Sequence, residues 1–140
     1  MIRVFLDANI LFSAAYREAS GILRLWQLPK VRLVTSTYAL MEAERNIAIK
    51  RPEASNRFFG LSDQVEVSTS TRTLSADYRL PDKDRPILEA AAGSGCDVLL
   101  TGDMAHFGHL VGETVEGVRV LTVSMFLMDC VIGIEADIRA

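Results

Sequence analysis

Four acidic residues stand where predicted strands end or predicted helices begin, and they are the residues of this sequence best placed to do chemistry. Asp7 directly follows an apolar run, and Asp103 follows another run across a glycine that permits a sharp turn. Ligands of open parallel sheets bind beyond the carboxyl ends of the strands, so both acids occupy candidate site positions. Taken singly, each is explained equally well as a helix N-cap.

Asp84 lies at the start of a predicted helix, three and four residues before Ile87 and Leu88. It therefore falls on the apolar stripe of that helix, where a carboxylate costs desolvation. A capping role explains it as well, because Pro86 is favourable in a first helical turn. Asp82 is a competing candidate for the same role.

Glu42 lies about two turns into the helix predicted after the second strand. It lies on the same side of that helix as Tyr38 and Met41. The alternative is an exposed partner for Arg45 or Asn46 at helical spacing, a contact worth only a few tenths of a kcal/mol.

The joint pattern of the four acids carries more information than any one of them, because it predicts that all four converge at one sheet edge. Two carboxylates about 5 Å apart repel by roughly 3 kcal/mol at an effective dielectric constant of about 20. Such a cluster calls for a cation, and hard divalent ions with oxygen ligands, Mg²⁺ or Mn²⁺, are the natural occupants.

The elements that position these acids follow from the hydrophobic pattern. Short β-branched runs predict five strands, at Ile2–Leu6, Val31–Val34, Val65–Val67, Val98–Leu100 and Val118–Val123. Apolar residues at helical spacing predict helices at Ala19–Trp26, Leu40–Ile47, Ile87–Ala92 and Ser124–Ile132, and Ser68 to Lys83 reads as an irregular connection. This alternation predicts an α/β fold, a three-layer α/β/α sandwich with a central, mostly parallel five-stranded sheet.

Length and composition set further bounds. The 140 residues predict one domain over residues 1–140, and 49% hydrophobic with 24% charged residues is typical of a globular protein. The apolar start of the chain is too short for a signal peptide and no segment predicts a membrane span. Cys96 and Cys130 are therefore expected to be reduced, buried thiols in the cytoplasm.

The net charge of −3 argues against binding nucleic acid by charge alone. Basic residues around an acidic site can nevertheless contact phosphates, and the candidates are Arg45, Lys50, Arg51, Arg57, Arg79, Lys83 and Arg85.

Four short motifs in order along the chain resemble those of the PIN-domain family, in particular the bacterial VapC-like toxins of toxin–antitoxin pairs. They are Val4–Leu11 with Asp7 and Asn9, Leu33–Ser36 followed by Glu42, Asp82-Lys83-Asp84 before Ile87–Ala91, and Val98–Asp103. The resemblance runs nearly end to end. It implies the same three-layer fold.

The resemblance also implies an activity, the Mg²⁺- or Mn²⁺-dependent hydrolysis of RNA. Its catalytic and metal-binding residues would be Asp7, Glu42, Asp84 and Asp103, supported by Asn9 and by Ser36 or Thr101. The cation would activate a water for in-line attack on phosphorus. The implied partners are RNA and an antitoxin protein, and we expect a homo-oligomer, most simply a dimer.

Two other interpretations remain open. A non-enzymatic acidic binding module, a silent PIN domain or a receiver-like phospho-acceptor, would share the architecture. A receiver needs paired acids after its first strand and a lysine after its last, whereas Asp7 is single and Leu121–Ser124 lacks a lysine.

His106 and His109 could form a metal pair, but no third ligand of that kind stands near, so a surface or phosphate contact is favoured. No glycine pattern predicts a nucleotide cofactor.

Overall fold

A computed structural model describes residues 1–18 and 20–130 of the chain. Its centre is a six-stranded sheet in the order β3-β2-β1-β4-β6-β5. The strands are β1 Ile2–Leu6, β2 Val31–Ser36, β3 Glu66–Ser68, β4 Val98–Leu100, β5 Thr114–Val115 and β6 Val118–Leu121. All neighbouring pairs are parallel except β5 and β6. The predicted parallel α/β architecture is confirmed, with one strand more than predicted.

Helices cover both faces of this sheet. They are α1 Ala8–Tyr16, α2 Thr37–Lys50, α3 Ser55–Ser62, α4 Arg85–Gly93, α5 Met104–Phe107 and α6 at residues 123–130, with 3₁₀ turns at Gly21–Gln27, Pro52–Ala54 and Gly108–Leu110. Helices α1, α2 and α3 pack against one another. The direction of strand addition reverses between β3 and β4, so a right-handed crossover places α4 on the opposite face. The result is three layers.

The parallel neighbours β1 and β4 lie in the middle of the sheet and form the centre of the core. Val4, Phe5 and Leu6 of β1 are fully buried, as is Leu100 of β4, which pairs with Leu6. Strands covered on both faces read as continuous apolar runs, which is why both were visible in the sequence. The chain leaves β1 at Asp7, whose backbone N–H donates to the Leu100 carbonyl at 3.1 Å.

The predicted irregular connection after β3 is tied to the β5–β6 hairpin by one carboxylate. The Glu116 side chain, 8% exposed, accepts hydrogen bonds from the hydroxyls of Ser75 and Tyr78 and pairs with Arg72 at 3.7 Å. These hydroxyls, Ser75 first, hold the pKa of Glu116 below its ordinary value. The connection leads into the start of α4, so this anchor helps to position the acids there.

The same connection packs tightly on the last turn of α4. A Cβ on Gly93 would lie 2.4 Å from the backbone of Thr71, closer than real Cβ atoms approach. The Arg72 N–H donates to the Glu89 carbonyl at 3.0 Å beside this contact. Gly93 is therefore required here for the close approach of the two segments.

Several elements differ from their predictions. Helix α1 was not predicted, because five of its nine residues are buried and it lacks the polar face that reveals a surface helix. The segment predicted as a helix at Ala19–Trp26 forms a 3₁₀ helix at Gly21–Gln27, and Ala19 lies outside the described residues. The end of the predicted helix Ser124–Ile132 lies beyond residue 130, outside them too. Strand β5 was missed because Glu116 and Gly117, both with positive φ, form a tight turn without the usual Asn-Gly signal.

Both cysteines are free thiols. Cys96 is buried, as predicted, whereas Cys130 is only half-buried, since α6 turns one side toward the core and Phe126 is its buried residue. Within the described parts of the chain, none of the helices has both the length and the apolar character needed to cross a membrane.

Candidate active site

The four predicted acids come together in one cleft of about 250 Å³ at the carboxyl edge of the sheet. Asp7, Glu42, Asp84 and Asp103 all line it, together with Asn9, Lys50 and Lys83. Each acid arrives from a different element: the end of β1, the middle of α2, the start of α4 and the turn after β4. Asp82 is exposed and does not line the cleft, so the geometry favours Asp84 over Asp82.

Asp7 is the most buried of the four acids, with 5% of its surface exposed. Its Oδ1 accepts from the Ala8 backbone N–H at 2.7 Å, and its Oδ2 accepts from the Thr101 hydroxyl at 2.8 Å and the Asn9 amide at 3.0 Å. Burial raises the pKa of Asp7 to about 6, although these three hydrogen bonds oppose the shift. The nearby charge of Glu42 adds to it. Ionised Asp7 is thus held in place at an electrostatic cost.

Asn9 and Thr101 connect the ends of β1 and β4 around Asp7. The Gly102 backbone N–H donates to Asn9 Oδ1 at 2.8 Å, and the Asp103 N–H donates to Thr101 Oγ1 at 3.1 Å. A single pair of side chains therefore sets the distance between the first and fourth acids.

Ser36, the alternative supporting residue, has a different contact. Its hydroxyl accepts from the Ala39 N–H at 3.1 Å and caps the start of α2, the helix that carries Glu42. Of the two alternatives, Thr101 contacts an acid directly, whereas Ser36 acts on the helix.

Asp84, Asp103 and His106 form the tightest group in the cleft, with one potential ligand atom from each lying within 4.8 Å of the others. His106 Nδ1 lies 2.8 Å from Asp103 Oδ2 and 3.2 Å from Asp84 Oδ2. In the tautomer with a hydrogen on Nδ1, the imidazole donates to Asp103, the closer of the two carboxylates.

Asp84 is consequently left with an unpartnered oxygen. Among the described residues, its buried Oδ2 has no hydrogen-bond partner of good geometry. Asp84 also occupies the N-cap position of α4 without making a capping hydrogen bond, so capping does not explain its burial. Burial raises the pKa of Asp84, and the charge of Asp103 adds to this while His106 opposes it.

The negative electrostatic potential of the cleft acts on the pKa of the neighbouring Tyr38. Burial raises the pKa of Tyr38, and the charges of Glu42, Asp84 and Asp7 raise it further. Lys50 and Lys83 are the basic residues that line the cleft itself.

Other predicted phosphate contacts lie elsewhere. Arg51 stacks on the Tyr16 ring at 4.7 Å, and Arg57 donates to the Ala15 carbonyl at 2.7 Å. Arg45 lies in an adjoining pocket.

The two histidines do not act together. His109 Nε2 contacts the Tyr78 carbonyl at 2.6 Å, while His106 faces the acids. His106 was discounted from the sequence, yet the spacing of three residues from Asp103 at a helix start was a usable signal.

The donor set suits a hard divalent cation. Four carboxylates converge, one of their oxygens is buried and unpartnered, and oxygen ligands are those that Mg²⁺ and Mn²⁺ prefer. An imidazole is also compatible with Mn²⁺. Without a cation, the cluster carries repulsion that the few nearby donors offset only in part.

Comparisons with known proteins agree with this fold. Residues 3–105 match the sequence model of a family described as PIN domain. No curated protein sequence matches the chain. Among solved structures, VapBC2 from Rickettsia felis bound to a DNA fragment from its promoter is similar, with a TM-score of 0.63 and 14% identity over 86% of this chain and 98% of the other.

VapBC-1 from nontypeable Haemophilus influenzae is similar with a TM-score of 0.58 and 16% identity, over 86% of this chain and 98% of the other. VapC20 of Mycobacterium tuberculosis, described as a sarcin-ricin loop cleaving toxin, gives a TM-score of 0.54 and 18% identity over 73% and 92%. At these identities the likeness establishes the fold. The family model matches most of the chain, residues 3–105, so the chain belongs to the PIN-domain family, whose members are generally nucleases.

Proposed function

We propose that the protein is a ribonuclease that hydrolyses RNA phosphodiester bonds with the help of Mg²⁺ or Mn²⁺. The observation that carries the proposal is the buried Asp84 Oδ2, which lacks a hydrogen-bond partner among the described residues in a cleft where four carboxylates meet. A buried carboxylate oxygen that accepts no hydrogen bond is costly, and a bound cation would offset that cost.

Asp7, Glu42, Asp84 and Asp103 would hold the cation. When bound, it would lower the pKa of a water and neutralise charge on the scissile phosphate. His106 would be an additional ligand or would keep Asp103 oriented, since it contacts both Asp84 and Asp103.

The remaining steps belong to side chains of the cleft. Lys50 and Lys83 attract the phosphates of the RNA and offset the negative charge of the acids. Asn9 and Thr101 hold Asp7 in one orientation through their hydrogen bonds. An acid of the cleft that does not bind the cation directly would orient the attacking water and take its proton as general base.

We further infer that the protein is the toxin of a toxin–antitoxin pair in the cytoplasm and binds a protein antitoxin, with a homodimer as its basic unit. What supports this is the fold, which resembles the VapBC complexes along 86% of the chain. Induced expression should arrest bacterial growth, and Asp84→Asn should relieve the arrest. Normal growth with the wild type at high expression would contradict the toxin role while leaving the nuclease proposal intact.

A cleavage assay on a mixed RNA pool tests the nuclease directly. We expect cleavage with Mg²⁺ or Mn²⁺, none in excess chelator, and none for Asp84→Asn in either metal. Asp82→Asn is the matched control, because it removes the same charge two residues away from an exposed position outside the cleft. Cleavage that persists in chelator, or that is lost equally in both variants, would contradict the assignment. Phosphorylation of Asp7 without cleavage would favour a receiver.

A further inference from the structure

We propose that a pocket beside the acid cleft binds one nucleobase of a single-stranded RNA and so directs the adjoining phosphate toward the carboxylates, an inference that rests on the proposed ribonuclease function. The base pocket, as we name it, has a volume of about 310 Å³. It is lined by Tyr38, Met41, Glu42, Arg45, Lys83 and Asp84. Pockets for small ligands begin at about this size.

One wall of the base pocket is apolar and faces solvent. Tyr38 and Met41 lie three residues apart on the first turns of α2, and 44% and 55% of their surfaces are exposed. The Tyr38 hydroxyl donates to the Lys83 carbonyl at 2.7 Å. Although the ring is open to solvent, this bond ties it to the chain segment before α4. An exposed ring held in one orientation is suited to stacking, because little conformational entropy is lost when a base binds.

The base pocket also carries positive charge. Arg45 and Lys83 both line it, and within residues 1–18 and 20–130 neither forms an ion pair with a carboxylate at 4.0 Å or less. Glu42 and Asp84 also line the base pocket, so these two cations offset the acids there and, without a close ion pair, can still contact phosphates; the Arg45 guanidinium can also stack on a base. A free phosphate would need no apolar wall, whereas a nucleotide uses both the wall and the cations.

The position of the base pocket connects it to the reaction. It shares Glu42, Lys83 and Asp84 with the acid cleft, so the two are continuous. A base stacked on Tyr38 places the neighbouring phosphate beside Asp84. Bases within a duplex have both faces covered by stacking neighbours, so this recognition selects single strands or unpaired loops.

Binding of a short fluorescein-labelled single-stranded RNA in chelator, followed by fluorescence anisotropy, tests the inference without requiring cleavage. Tyr38→Leu should weaken binding on the order of ten-fold, as expected for loss of one stacked base. Tyr38→Trp should restore tight binding, because it keeps a ring face. Arg45→Gln should weaken RNA binding and reduce its salt dependence. Because Arg45 is exposed, this substitution should leave the fold intact. Phe59→Leu is the control, since it removes an exposed ring on α3 that does not line either site.

In the cleavage assay with Mn²⁺, Tyr38→Leu should raise KM more than it lowers kcat. Unchanged RNA binding by Tyr38→Leu and Arg45→Gln would overturn the inference even if the wild type cleaves RNA. Loss of a co-purifying protein from Tyr38→Leu, with RNA binding intact, would overturn it in favour of a protein ligand. If neither the wild type nor any variant cleaves RNA, yet RNA binding still depends on Tyr38, the base pocket is supported and the ribonuclease proposal fails.

Discussion

Replacement of Asp7 by asparagine should make the metal-free protein more stable at neutral pH and less stable in acid. Burial raises the pKa of Asp7 from 3.8 to about 6. Between these values the folded protein binds more protons than the unfolded chain, so its stability falls as the pH rises through this window and stays lower above it. A shift of this size corresponds to about 3 kcal/mol lost above pH 6.

The asparagine recovers only part of this amount. Its oxygen can still accept from the Ala8 N–H, and the Thr101 hydroxyl can rotate to accept from the new amide, but that amide would meet the Asn9 amide, donor against donor. One lost hydrogen bond costs about 1 kcal/mol. Asp7→Asn should therefore gain about 1–2 kcal/mol at pH about 7.5 and lose about 1 kcal/mol near pH 4.

Urea unfolding in chelator at both pH values measures this crossover. Asp82→Asn is the control, since its exposed carboxylate should change stability by less than about 0.5 kcal/mol at either pH. If Asp7→Asn is less stable than the wild type at both pH values, burial of the ionised Asp7 carboxylate does not destabilise the metal-free protein, and the electrostatic cost assigned to it is refuted.

Three further outcomes are expected. Asp84→Asn should raise the melting temperature in chelator, because burial raises the pKa of Asp84. Saturating Mg²⁺ should shrink this gain, since it stabilises the wild type more than the variant. Equal Mg²⁺-induced shifts in the melting temperatures of both proteins would contradict this. Gly93→Ala should cost about 1–3 kcal/mol in thermal or urea unfolding by forcing backbones apart, whereas Gly60→Ala in open space on α3 should gain about 0.5–1 kcal/mol. Glu116→Gln should lower the free energy of unfolding at neutral pH but little in acid, because the hydrogen bond from Ser75 lowers the pKa of Glu116 and the stability that this carboxylate contributes is lost as the pH falls. Limited proteolysis within residues 69–83 should be faster in the variant at neutral pH. An equal effect at both pH values would refute this expectation.

Local sequence patterns determined the strands that carry the chemistry. β1 and β4 are buried on both faces, so their residues are almost all apolar and their ends are marked by the first polar residue, Asp7 in one case and Thr101 before Asp103 in the other. The bounds of both strands were predicted correctly for this reason. The convergence of the acids followed because parallel strands end at one sheet edge.

Tertiary structure decided what spacing along the chain could not. Asp82 and Asp84 look alike in the sequence, and only the packing of α4 buries Asp84 in the cleft and leaves Asp82 in solvent. His106 meets Asp84 because two segments distant in the chain fold onto the same edge, a contact that helical periodicity does not encode. The sequence by itself therefore determined the fold class and which acids stand at strand ends, because buried strands and helix faces require apolar residues at regular spacing. The tertiary structure decided the partner of each polar atom, because those partners come from segments far apart in the chain.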